Sequence, residues 1–118
     1  MSETATAYGQ LLDAGASLAA SGHYEAAFHA LMAAMHCALD DGDAGRLGEV
    51  AGLLRRYGRD VDALRPPHKL SAWRCHTGRT VFEIGASQAD SAAETVNSRR
   101  RAESLMRRIH LNTPWPSG

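Results

Sequence analysis

The sequence predicts an all-α fold, and three observations carry that expectation. Alanine occurs 21 times whereas Val and Ile together occur six times, so strong helix formers dominate and strand formers are scarce. Apolar residues recur at spacings of three and four through most of the chain. Ser21-Gly22, Asp40-Asp41-Gly42-Asp43 and Pro66-Pro67 break those stretches from one another. With 118 residues and 12.7 kDa, the chain is the size of one domain, expected over residues 1–111, with 112–118 as a flexible tail.

About five helices are expected. The first runs from about Thr4 to Ala20, with Tyr8, Leu11, Leu12, Gly15 and Leu18 at helical spacing, and Ser21-Gly22 ends it. The second spans about Tyr24 to Leu39 on an apolar stripe of Tyr24, Ala27, Phe28, Leu31, Met35 and Ala38. Asp43 is the expected N-cap of a third helix, about Ala44 to Tyr57, that buries Leu47, Val50, Ala51 and Leu54 and stops at Gly58. Pro66-Pro67 then punctuates the chain. A fourth helix, about His68 to Gly85, is weakened by Gly78 and by β-branched Thr77, Thr80 and Val81. Ser91-Ala92-Ala93-Glu94 has capping-box spacing and opens a fifth, about Ala92 to His110.

Charge divides the molecule. Residues 1–45 hold six acids and no Lys or Arg, while residues 46–118 hold all 13 cations and seven acids, a net +6. The formal total is zero. Such a split points to an interaction surface rather than to a uniformly polyanion-binding one.

Several function classes fall away. No apolar run approaches the roughly 20 residues that span a bilayer, so no membrane partner is expected. The first residues lack a cationic segment and a continuous apolar stretch, as a cytoplasmic protein would. Cys37 and Cys75 read as two reduced thiols. There is no phosphate-binding glycine loop, no HExxH and no paired CxxC, so the chain is expected not to be an enzyme and to need no cofactor or metal. Glu25, His29, His36 and Asp40 line one edge of the second helix, where they read as a solvated polar face; His29 and His36 stand ~10.5 Å apart along the axis, too far to share one ion. Cys75-His76 are adjacent in sequence, which does not by itself bring a base to a thiol.

Residues 8–41 resemble a tetratricopeptide repeat, the 34-residue helix–turn–helix unit. Tyr8, Leu11, Gly15 and Leu18 match its first helix, Gly22 its turn, and Tyr24, Ala27, Leu31, Ala34 and Met35 its second. Ala14 departs from the pattern, and no proline closes the unit. Leu47, Val50, Ala51, Leu54 and Gly58 form a weaker echo. The resemblance implies antiparallel hairpins and a concave groove that grips peptides, lined here by Leu12, Asp13, Ala16 and Ala19. Family members that clamp a carboxylate place Lys and Asn where this chain has Leu12 and Ala16, so that clamp is not expected.

Two further faces stand out. Gly45, Gly48 and Gly52 share one side of the third helix and are expected to pack closely on Ala26, Ala30 and Ala33. In the fifth helix Ala102, Leu105, Met106 and Ile109 gather on one arc, opposite Arg99, Arg100, Arg101, Arg107 and Arg108. That helix is expected to cap the array with its apolar stripe and to offer its arginines to an acidic protein surface. The functional expectation is a protein–protein interaction module, adaptor or chaperone-like, that self-associates. The alternative is a nucleic-acid-associated protein acting through the arginines, and below it a small-ligand or metal site in the core. Trp115, between two prolines, is a candidate to dock in the groove.

Overall fold

The computed structural model describes residues 2–64, 68–71 and 79–112. The described residues form four helices and no strand: α1 Glu3–Ala20, α2 Tyr24–Asp40, α3 Ala44–Asp62 and α4 Val81–Asn112. Consecutive helices pack on one another, and α2 also reaches α4.

Local chemistry accounts for the first two turns. After α1, Gly22 takes φ +82°, His23 N–H donates to the Leu18 carbonyl at 2.8 Å and Gly22 N–H to Ala19 at 3.0 Å. After α2, Gly42 takes φ +61°, Asp43 N–H donates to Ala38 at 2.9 Å and Gly42 N–H to Leu39 at 3.0 Å. Both are the six-to-one, five-to-two closure that satisfies orphan carbonyls, and both need a residue free to adopt the left-handed conformation. Ser2 Oγ accepts from Ala5 N–H at 3.0 Å and Asp43 Oδ1 from Arg46 N–H at 3.0 Å, so each caps the helix it precedes.

Leu31, Leu47, Val50, Leu54, Val61 and Phe82 are completely buried and form the centre of the core. Around them lie Ala27, Ala34, Ala38, Ala86 and Ala89, whose small side chains let the helices approach. Arg55 of α3 pairs with Asp90 of α4 at 2.5 Å across the outer edge.

The structure corrects the expected third helix. Gly58 does not end α3, which continues to Asp62 and carries Val61 into the core. Gly58 lacks the positive φ of a terminator. It is buried because Phe82 lies against it: a Cβ at Gly58 would stand 3.0 Å from the Phe82 Cβ.

The fourth and fifth helices are redrawn as well. His68–Ser71 forms a turn, and α4 begins only at Val81 and runs unbroken through Ser91 for 32 residues. Its cap is Thr80, whose Oγ1 accepts from Glu83 N–H at 3.2 Å. Thr80-Val81-Phe82-Glu83 has the same capping-box spacing as Ser91-Ala92-Ala93-Glu94. Ser91 is interior, its carbonyl taken by the Thr95 hydroxyl at 3.0 Å. Gly85, expected as a helix end, is instead a point of close approach of α4 to both α2 and α3: a Cβ there would meet Met32 Sδ at 3.0 Å, Phe28 at 3.2 Å and Leu54 at 3.3 Å.

The expected glycine face is also overturned. A Cβ at Gly48 or Gly52 would meet nothing within 4 Å, and one at Gly45 only its neighbour Asp43, so this face of α3 looks to solvent. Finally, α4 does not seal the array along its length. Phe82, Ala86, Ala89 and Val96 are buried, whereas Leu105 is 56% exposed, Met106 64% and Ile109 44%. At 1.5 Å per residue α4 is about 48 Å long, and its last turns overhang a molecule with extents of 71 × 32 × 16 Å. Pro66-Pro67, Cys75-His76 and the tail with Trp115 lie outside the described residues.

Candidate functional site

Two surfaces collect the residues singled out in the sequence. The first is a cleft of about 340 Å³ where the C-terminal half of α1 meets α3. Ala16, Ala19 and Ala20 form its α1 wall, Arg56, Tyr57 and Asp60 its α3 wall, and Tyr24 closes one end. The cleft exists because alanines stand where larger residues would fill the space between two helices. Ala16 and Ala19 of the expected groove are therefore brought together. Leu12 and Asp13 are not part of it: Leu12 packs against the core and Asp13 is exposed. The α3 contributors Arg56, Tyr57 and Asp60 carry no local motif, so only the tertiary approach of α1 to α3 brings them to the cleft.

The second surface lies between the α2–α3 turn and α4. Leu39, Asp40, Asp41, Gly42, Val96, Arg99, Arg100 and Glu103 enclose about 340 Å³. Arg100 Nη2 donates to the Gly42 carbonyl, tying the cationic helix to the acidic turn of the same chain. That turn is neutralised from other sides too. Arg46 lies 3.9 Å from Asp41 and 3.5 Å from Asp43, and Thr4 and Ser2 hydroxyls both donate to the Asp41 carboxylate. The five arginines do not act as one patch. Arg99 and Arg100 face the acidic turn, Arg101 and Arg108 flank Leu105 on another side, with Arg101 donating to Ser98 Oγ at 3.1 Å, and Arg107 is exposed.

Among the described residues, Tyr8 is the one strongly perturbed ionisable group. It is buried at 4% exposure, and its hydroxyl donates to the Glu49 carboxylate while lying 3.2 Å from the Arg46 carbonyl. Arg46 also sits 4.9 Å from the ring centroid. Desolvation first, then the Glu49 carboxylate, push the phenol well above its ordinary range. Tyr8 therefore stays protonated and ties α1 to α3. It has the environment of a structural donor rather than of a nucleophile.

The polar edge of α2 is dispersed in the same way. Glu25 pairs with Lys69, and that ammonium holds its carboxyl below the usual range. His29 lies edge-on to Phe28 with ring centroids 5.3 Å apart. A wide cleft of about 450 Å³ beside them is lined by His23, Glu25, His29, His68 and Lys69. Among the described residues no three His, Cys, Asp or Glu side chains converge as metal ligands do. Also among the described residues, no helix is long and apolar enough to cross a membrane. No family model matches the chain, no curated protein matches it in sequence, and no solved structure matches it in fold.

Proposed function

We propose that this protein is a non-enzymatic, cytoplasmic protein–protein interaction module of tetratricopeptide type, adaptor or chaperone-like, that grips a helix or peptide and self-associates. The observation that carries the reading is the cleft between α1 and α3, with an alanine wall on α1, a facing wall of Arg56, Tyr57 and Asp60 on α3, and Tyr24 at one end. Small side chains on the α1 wall leave room for a backbone, half-buried Tyr24 offers amphipathic contact area, and the charges of Arg56 and Asp60 fix direction. Further support comes from the α1–α2 hairpin, where a Cβ added at buried Gly15 would stand 3.6 Å from Leu31 Cδ2 and 3.7 Å from the Ala27 carbonyl, which leaves room for a small residue there. That is the small-residue crossing the tetratricopeptide resemblance calls for.

Selection of a displayed peptide library against the full chain tests this. Peptides recovered should lose binding to Ala16→Trp, which fills the cleft from an exposed position, and keep binding to Arg101→Glu. Failure to select any peptide, or selection indifferent to Ala16→Trp, overturns the reading. Retention on heparin that disappears only at high salt, and that is lost with Arg101→Glu, would favour the nucleic-acid alternative.

A further inference from the structure

The face of α4 turned away from the bundle carries no charge along its length. Steps of four and three residues from Ile84 to Ile109 define eight positions, all uncharged. This is the alternating spacing of a two-helix seam. It is a different face from the one that buries Phe82, Ala89 and Val96. Its ends are large and apolar, with Ile84 40% exposed, Leu105 56% and Ile109 44%. Its middle is small and also exposed, at Ser91, Thr95 and Ser98. The Thr95 hydroxyl is already satisfied by the Ser91 carbonyl at 3.0 Å, so covering it strands no donor.

Charge along the same helix identifies the occupant. Residues 81–98 contain Glu83, Asp90 and Glu94 and no Lys or Arg, whereas residues 99–112 contain five Arg and one Glu. We infer that this face is an antiparallel dimer interface in which α4 pairs with α4 of a second copy, Ile84 opposite Ile109 and Thr95 opposite Ser98. The inference rests on the self-association in the reading above and gives it a surface. In that register the positions flanking the seam set Glu94 beside Arg101 of the second copy, twice by symmetry. The acid-bearing half of each helix lies along the arginine-bearing half of the other, and the helix dipoles oppose. The seam is about 38 Å long at 1.5 Å per residue. Parallel pairing would instead gather the arginines of both copies at one end. An anionic partner of another kind would engage the arginine end alone and leave Ile84 and the uncharged middle without a role.

Light scattering and sedimentation equilibrium on the full chain test the interface. The expected mass is twice the 12.7 kDa of one chain. Leu105→Glu with Ile109→Glu should return it to one chain with unchanged far-ultraviolet circular dichroism, since both side chains are exposed and the core is not touched. Glu94→Arg or Arg101→Glu alone should weaken dimerisation about 10-fold, and the two together should restore it. A single-chain mass throughout the micromolar range overturns the inference and the self-association with it. A dimer that survives Leu105→Glu/Ile109→Glu overturns this surface and leaves self-association standing. Rescue of Glu94→Arg by Arg99→Glu, which a parallel pair would bring together, overturns the antiparallel arrangement.

Discussion

Gly58 of α3 and Phe82 of α4 lie so close that a Cβ at Gly58 would stand 3.0 Å from the Phe82 Cβ. That atom is fixed to the α4 backbone, so relief requires moving the helix and not just rotating a ring. Gly58→Ala should therefore destabilise the fold by about 1–3 kcal/mol, as overpacking does, despite the better helix propensity of alanine. Urea unfolding followed by circular dichroism checks it, and equal or greater stability would refute the close crossing.

The opposite sign is expected ten and six residues earlier in the same helix. Gly48 and Gly52 face open space, with nothing within 4 Å of an added Cβ. Gly48→Ala and Gly52→Ala should each raise stability by up to about 1 kcal/mol, because alanine lowers the backbone entropy lost on folding. A loss of stability at either position would mean that this face is covered after all.

Tyr8 makes stability depend on alkaline pH. Its phenol is raised in the folded state above the ordinary value of 10.0, so the folded chain holds that proton more tightly than the unfolded chain. The associated stability is fully present below pH 10 and is lost as pH rises above it, once the unfolded tyrosine ionises. Tyr8→Phe should lower stability at neutral pH by about 0.5–1.5 kcal/mol through loss of the Glu49 hydrogen bond, and should flatten the decline above pH 10. Thermal melts of both forms between pH 8 and about 11 check it. Parallel declines would show that other groups govern the alkaline limit.

Much of the fold was legible because its signals are local. The turns at Gly22 and Gly42 and the cap at Asp43 use groups within five residues of one another, so sequence alone specifies where α1 and α2 end and where α3 begins. The start of α4 was available in the same way. Thr80 and Glu83 carry capping-box spacing, but Pro66-Pro67 and the same spacing at Ser91 set the expected helix starts near His68 and Ala92 instead.

What tertiary structure decided depends on residues distant in the chain. A glycine terminates a helix, faces solvent or admits a neighbour, and its own letter does not say which. Gly22 ends α1, Gly48 faces water, and Gly58 admits Phe82, 24 positions away. Likewise the arginines of α4 read as one basic face, yet Arg100 is committed to the Gly42 carbonyl 58 residues earlier, and only its neighbours remain for a partner. Periodicity showed that Leu105, Met106 and Ile109 share a face. Only the packing of α4 showed that this face points away from the core, because the helix outruns the bundle that covers its first half. Sequence thus determined the helices and their apolar stripes, through short-range hydrogen bonding and 3.6-residue periodicity. Tertiary structure determined which stripe is buried, because burial depends on what the rest of the chain brings against it.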